Sequence, residues 1–245
     1  MSLYLITIRQ QTVAIDFSKI ITVQFVLTNA ISPVTLQKER KLMKKILIVV
    51  DMQNDFIDGA LGSPMAEAIV DNVAKKIHEY SDNNDIILFT KDTHYSSDYL
   101  VTEEGRNLPV KHCILGTHGW MIKNGLLEQV DASKKHNSWV VRKPTFGAED
   151  LIKVLRYKVS DRTNSDNEDG SGITVELVGL CTDICVISNA VIAKTALPNA
   201  HIVVDAACCA GVTPESHDTA IKAMQAIMVE VLNHGKEPWR KASEE

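Results

Sequence analysis

The feature that most narrows the choice of fold is a series of short apolar runs, each ending on polar or charged residues. Ile46-Leu47-Ile48-Val49-Val50 stops at Asp51, and Ile86-Ile87-Leu88-Phe89 leads into Thr90-Lys91-Asp92. Trp139-Val140-Val141 leads into Arg142-Lys143, Leu177-Val178-Gly179-Leu180 into Cys181-Thr182-Asp183, and Ile202-Val203-Val204 into Asp205. Near-continuous apolar runs of this length are what strands covered on both faces require. Between them lie segments with helical signals. Residues 64–80 carry Ser63 as N-cap and Pro64 at the first helical position, and residues 214–228 follow Thr213 and Pro214 in the same way. Residues 149–159 place Leu151, Ile152, Val154 and Leu155 on one face. Strand and helix in alternation predict an α/β fold, a three-layer α/β/α sandwich with a mostly parallel central sheet. Ligands of such sheets bind beyond the carboxyl ends of the strands, near the reversal of strand order.

The chain divides by character. Residues 1–42 hold β-prone stretches such as Thr22-Val23-Gln24-Phe25-Val26-Leu27 but no glycine, and Arg9, Asp16 and Lys19 interrupt any signal-peptide core. They read as an N-terminal extension of unknown role. Met43 opens the folded domain, expected over 43–235, and 236–245 reads as a loose, charged C-terminal tail. Residues 95–119 form a long polar loop, a length that is usually functional. Residues 160–172 read as a polar surface insertion, 126–130 as a short helix and 228–232 as an edge strand. A net charge of −5 gives no support for nucleic acid as a partner, and no apolar run is long enough to span a bilayer. Five cysteines, two of them adjacent, argue against a disulfide framework and for reduced thiols in a cytoplasmic protein. Neither a G-x-G-x-x-G nor a phosphate-loop motif is present.

Three reactive groups follow three of the apolar runs. Cys185 stands where the helix after 176–180 is expected to begin, and free N–H groups and the positive helix end there favour a thiolate. Asp51 and Lys143 close the first and third strands. Each alone has an ordinary alternative: a buried structural thiol, a capping Asp, a solvated Lys. Together, at equivalent strand ends, they suggest a nucleophile with a base and a cation. A second group is Asp92-Thr93-His94 with His112. Residues two apart in extended chain point the same way, so Asp92 and His94 can share an ion, with His112 arriving from the long loop. Glu104, or Glu103, could add a ligand from that loop. His118 has no motif behind it, and His78, His136, His201, His217 and His234 read as structural. Phe56 is a candidate apolar wall for a planar substrate.

Val50-Asp51-Met52-Gln53-Asn54-Asp55-Phe56, Lys143-Pro144-Thr145-Phe146-Gly147 and Gly179-Leu180-Cys181-Thr182-Asp183-Ile184-Cys185-Val186 resemble, in that order, the signature segments of the isochorismatase-like cysteine hydrolases. Nicotinamidases, N-carbamoylsarcosine amidases and isochorismatases belong to that superfamily. The resemblance covers residues 44–232. It implies Asp51 as base, Lys143 as cation, Cys185 as nucleophile, a cis Leu180–Cys181 peptide, and an oxyanion hole from the backbone N–H groups of Cys181 and Cys185. Lys91-Asp92-Thr93-His94 with 109–117 is similar to the metal-binding part of nicotinamidases. This implies one divalent metal, zinc in first place with iron or manganese as alternatives, on Asp92, His94 and His112, with Glu104 as an additional ligand. The metal would hold a pyridine nitrogen and so orient the ring.

The implied activity is hydrolysis of a small carboxamide through a thioester, nicotinamide to nicotinate and ammonia in NAD salvage. Phe56, Leu108 and Phe146 are expected to contact the substrate. Two stretches depart from the usual nicotinamidase form: residues 107–112 lack an aromatic before His112, and residues 144–148 differ. The alternatives are another amidase of the superfamily, a catalytically silent binding protein, or a thiol-redox protein built on Cys181, Cys185, Cys208 and Cys209. Relatives of this kind commonly self-associate, so a homo-oligomer is expected.

Overall fold

The computed structural model describes residues 4–8, 11–15, 44–163 and 169–243. The chain separates into two units, Met1–Met43 and Lys44–Glu245. In the first, β1 (Tyr4–Ile8) and β2 (Gln11–Ile15) pair antiparallel with Tyr4 opposite Ile15. The β-prone run Thr22–Leu27 lies outside the described residues.

In the second unit, β3 (Lys44–Val50), β4 (Ile86–Asp92), β5 (Ser138–Lys143), β6 (Ile173–Leu180), β7 (His201–Ala210) and β8 (Glu230–Leu232) form one parallel sheet in the order β5-β4-β3-β6-β7-β8. The chain steps outward from β3 to β5, then returns to the other side of β3 and steps outward again. The order therefore reverses between β3 and β6, where a crevice opens at the carboxyl ends of strands.

Alternation along the strands feeds two cores. Ile46, Ile48 and Val50 of β3 face one side, packed with Leu151 and Leu155 of α5 (Glu149–Thr163), Ala190 and Ala193 of α6 (Ile187–Ala196) and Ile221 and Met224 of α7 (Pro214–Ala226). Leu47 and Val49 face the other side, packed with Val73, Ile77 and Tyr80 of α3 (Val70–Asp82). Those three residues sit four and three apart, one stripe of a helix. Burying each stabilises by ~1.5–3 kcal/mol, and Ile77→Ala would cost ~2–5 kcal/mol. Helices thus cover both faces of a parallel sheet, the three-layer sandwich read from the apolar runs.

Several boundaries differ from expectation. The helix predicted over 64–80 is split into α2 (Pro64–Ala68) and α3 at Ile69, whose side chain is turned wholly into the core. The N-cap of α2 is as predicted, Ser63 Oγ accepting from the Ala66 N–H at 3.1 Å. α5 continues to Thr163 rather than 159. The 126–130 helix is only a 3₁₀ turn, Leu127–Gln129. The tail was expected to be loose, but Pro238–Ser243 forms a 3₁₀ turn, Glu237 is fully buried, and the buried Trp239 indole donates to the Cys209 carbonyl at 3.1 Å. A charged composition concealed a large aromatic ring that finds cover in the core beside α2 and α3.

Candidate active site

β3 ends on Asp51, whose φ of +46° turns the chain off the strand. Aspartate tolerates this left-handed region better than most residues. The Asp51 carboxylate is fully buried. Its Oδ1 accepts from the Thr90 hydroxyl at 2.7 Å, and the same hydroxyl oxygen accepts from the Asp51 N–H at 3.2 Å. Lys143 lies at the end of β5, two strands from β3, and its long side chain reaches past β4. Its Nζ is 2.6 Å from Asp51 Oδ2, 3.5 Å from Cys185 Sγ and 3.5 Å from Asp92 Oδ1, and donates to the Thr145 carbonyl at 3.1 Å. The ammonium therefore joins the acid, the sulfur and the second cluster.

Cys185 does not open an α-helix. It lies within a π-helical turn, Thr182–Val186, that precedes α6 and follows a cis Leu180–Cys181 peptide. The Cys181 carbonyl closes the turn, accepting from the Ile184 and Val186 N–H groups at 3.1 and 3.0 Å. The expectation of a favoured thiolate is corrected here. Burial pushes the Cys185 thiol well up, the Asp51 charge adds to that, and Lys143 opposes without prevailing. Burial likewise raises Asp51 against the pull of Lys143. Burial alone would lower Lys143, but Asp51, then Cys185 and Asp92, hold it above its ordinary value. The site at rest holds a charged amine beside a neutral thiol.

The second cluster forms where the long loop meets the end of β4. That loop is not structureless: it contains a 3₁₀ turn, Tyr99–Val101, and α4 (Glu103–Asn107), with Thr102 Oγ1 accepting from the Gly105 N–H at 2.9 Å. Gly105 is required by close approach, since a Cβ there would lie 2.0 Å from the Tyr99 carbonyl oxygen. The buried Tyr99 donates its hydroxyl proton to the Leu108 carbonyl at 2.8 Å and so ties both ends of α4. Glu104 is thereby aimed at the histidines. A bridge between His94 and Ile114, with Cys113 held by Asp55 Oδ2 at 2.7 Å, brings His112 to the same place.

Around this cluster the consecutive separations are 2.9 Å (Asp92 Oδ2 to His94 Nε2), 3.5 Å (His94 to Glu104 Oε1), 3.5 Å (Glu104 to His112 Nε2) and 3.4 Å (His112 to Asp92). All four donor atoms lie within 4.8 Å of one another. A four-coordinate shell of ~2.1 Å radius has ligand atoms about 3.4 Å apart, so the residues fit a divalent ion. Two further observations agree. His94 Nε2 is buried and faces the Asp92 and Glu104 oxygens without a well-aligned hydrogen bond to either. His112 Nδ1 lies 2.8 Å from the Val110 carbonyl, an acceptor that leaves Nε2 as the lone-pair nitrogen facing the cluster. Burial acts against both imidazolium ions, but Asp92 and Glu104 outweigh it and raise His94 to about 9 and His112 to about 10. Burial would raise Glu104, yet the two histidines hold it at about 2, and they hold Asp92 below the carboxylate range.

A cavity of about 330 Å³ opens between the two groups, and Asp92, Glu104, His112, Cys181 and Cys185 all reach it. Phe56, Leu108 and Phe146, the residues expected at the substrate, line it as well. Asp51 and Lys143 lie behind this surface, reaching it through Cys185. His118 is outside this four-residue cluster; Asn54 Nδ2 donates to its carbonyl at 2.9 Å. The sequence reading missed Thr90, Tyr99 and Gln53, whose amide holds the Asp92 backbone from both sides at 2.7 and 2.9 Å. Of these only Gln53 lay inside a quoted motif. Among the other wall residues, Ile184 sits beside Cys185 in the signature segment without having been assigned to the wall, while Leu61, Ser63, Ala66 and Val212 come from segments with no motif. The five cysteines are free thiols.

Residues 45–235 match the family of the Isochorismatase domain. The chain belongs to the isochorismatase family and is a hydrolase. Its likeness runs to the nicotinamidase-like branch. It is 31% identical over 156 residues, 61% of this chain and 78% of the relative, to the "Uncharacterized isochorismatase family protein PncA" of Bacillus subtilis strain 168. The crystal structure of nicotinamidase/pyrazinamidase PncA from Bacillus subtilis superposes with a TM-score of 0.63 at 30% identity, covering 78% of this chain and all of that one (100%). The N-carbamoylsarcosine amidase of Thermoplasma acidophilum superposes with a TM-score of 0.60 at 27% identity, over 78% of this chain and 96% of that one. Among the described residues no helix is long and apolar enough to cross a membrane.

Proposed function

We propose that this hydrolase is a cysteine amidase converting nicotinamide and water to nicotinate and ammonia. The observation that carries the reading is the Lys143 ammonium, in contact with Asp51 and Cys185 together, beside a cavity that a metal-type cluster also faces. Asp51 takes the Cys185 proton as the sulfur bonds to the amide carbon, and Lys143 stabilises the sulfur charge that develops. The carbonyl electrons move to oxygen, where the N–H groups of Cys181 and Cys185 form the oxyanion hole, each donor worth ~3–4 kcal/mol in the transition state. Collapse expels the nitrogen as ammonia with the proton from Asp51 and leaves a thioester. Asp51 then takes a proton from water as its oxygen attacks, the C–S bond breaks, and the sulfur recovers its proton as the acid departs.

Asp92, His94, Glu104 and His112 are the proposed metal residues, for zinc first and iron or manganese otherwise. Such an ion supplies a Lewis acid that a ring nitrogen can ligate, which orients the carboxamide toward Cys185. Phe56, whose ring centroid lies 5.4 Å from that of His112, offers an apolar face to the ring.

A different small carboxamide is the second reading, favoured by Leu108 lining the cavity from the stretch 107–112, which lacks the aromatic that nicotinamidases often carry shortly before the second metal histidine. Ammonia release measured with nicotinamide and a panel of aliphatic and aromatic amides separates the two. Turnover of nicotinamide above the rest supports the first, and turnover of another amide alone selects the second. No turnover of any amide, with Cys185 unreactive, would leave a silent binding protein.

A further inference from the structure

Behind the Cys185 turn, away from the cavity, lies a second buried polar chain that the mechanism does not use. Thr182 Oγ1 is 2.8 Å from His217 Nδ1, and His217 Nε2 is 3.3 Å from Glu237 Oε1. All three residues are fully buried. They come from the first position of the π turn, from α7, and from the tail. Arg240 pairs with both Glu237 and Asp218, and Trp239 packs edge-on to His217 at 5.1 Å between centroids.

The proton positions follow from the partners. Burial would raise Glu237, but Arg240 overrides it and keeps the carboxylate charged, hence an acceptor only. Burial lowers His217 against the pull of Glu237, which keeps the ring neutral. A neutral ring beside a carboxylate places its proton on Nε2, so Nδ1 accepts and the Thr182 hydroxyl must donate to it. The chain thus has one direction, Thr182 to His217 to Glu237. Among the described residues a second hydrogen-bonded tie from the turn toward the α7 region is the Asp183 carboxylate accepting from the Val212 N–H at 3.2 Å. At its start the turn has no side-chain cap, Cys181 making none, while at its end Asn189 Nδ2 donates to the Cys185 carbonyl at 2.8 Å and Ser188 Oγ to the Ile184 carbonyl at 2.7 Å.

We propose that Thr182, His217 and Glu237 are positioning residues: the C-terminal segment, through this one-directional chain, holds the turn that aims the Cys185 sulfur. The proposal rests on Cys185 being the nucleophile, so its test reads the sulfur directly. Alkylation of Cys185 by iodoacetamide, followed by peptide mapping, is measured beside kcat and KM on nicotinamide. Thr182→Val removes the donor at nearly constant shape, and loss of one such bond is expected to slow alkylation and kcat about tenfold while KM stays within about twofold. Thr182→Ser restores the donor and is expected to recover most of both rates.

Glu237→Gln is the second variant. Arg240 Nε donates to Glu237 Oε2, so the glutamine oxygen takes that place and its NH₂ faces His217, reversing the chain. A similar loss of rate is expected without the donor at Thr182 being touched. Should Thr182→Val fail to fold, Glu237→Gln decides alone. Unchanged alkylation and kcat in the variants that fold, or equal losses in Thr182→Val and Thr182→Ser, overturn the proposal. Alkylation and turnover that persist in Cys185→Ala would instead overturn the nucleophile assignment, a separate failure.

Discussion

Gly179 passes Val50 so closely that a Cβ on it would lie 2.1 Å from the Val50 carbonyl oxygen, and its φ of +118° is open only to glycine at low cost. The β6–β7 register shifts between Leu177 and Gly179 at the same point. This contact sets where β3 ends, and so where Asp51 begins. Gly179→Ala is expected to cost more than ~2 kcal/mol through clash and strain together. Urea unfolding measures the loss, and activity is expected to fall further than stability because Asp51 moves. A variant as stable and as active as the parent would contradict the assigned role.

Asp51 and Lys143 depend on each other. Asp51→Asn leaves a buried ammonium without its 2.6 Å partner, a change of the kind that costs ~3–5 kcal/mol. Turnover is expected to vanish as well, since the amide cannot accept the thiol proton. Cys185→Ala or Cys185→Ser is expected to abolish turnover with little change in melting temperature. Comparing melting curves and single-turnover rates for the three variants tells a base from a mere structural anion.

Thr90→Val strips Asp51 Oδ1 of its donor and the Asp51 N–H of its acceptor, at ~1–3 kcal/mol. The Thr90 bond is among the influences that lower Asp51 against burial. Removing it is expected to move the acid limb of the kcat/KM profile to higher pH. A profile that stays in place would show that Asp51 is not the group titrating there.

Elemental analysis of the purified protein is expected to find about one divalent ion per chain, lost with activity on chelation and restored by readdition. His112→Ala and Asp92→Ala are expected to abolish binding, and Glu104→Ala to weaken it. Retention of the ion in all three would remove this cluster from consideration.

The metal-free protein carries a pH dependence of its own. His94 and His112 stand at about 9 and about 10, above the ordinary 6.5, because the facing carboxylates outweigh burial. Their contribution is complete below about pH 6.5 and is lost as pH rises through 9 and 10. Glu104, at about 2 against an ordinary 4.5, contributes above pH 4.5 and ceases to as pH falls toward 2. Thermal melts of chelated protein are expected to show both slopes. Metal affinity is expected to rise with pH, since ion and protons compete for the same nitrogens.

The inner strands β3, β4 and β6 were legible because each is rich in apolar residues and buried on both faces, whereas the edge strand β5 leaves Val140 half exposed. Asp51, Lys143 and Cys185 were legible for a related reason: parallel strands end at one edge, and these residues stand at or just beyond the ends of β3, β5 and β6. Asp92, His94 and His112 were readable through the D-x-H spacing together with the resemblance of residues 91–94 and 109–117, and Glu104 was an additional candidate from the loop. None of this local pattern pointed to Thr90, 39 residues from Asp51, or to Glu237, 20 residues from His217 and 55 from Thr182 (237 − 182). The tail misled because charge dominated its composition, while one tryptophan decided its place.

By itself the amino-acid order determined the layers, the strand ends and the kinds of group gathered there, because burial and chain geometry act locally and repeat. Only the tertiary structure decided the protonation of those groups and their distances. Whether a thiol is charged depends on how deeply it is covered and which charges face it, and those neighbours are supplied by segments far away along the chain.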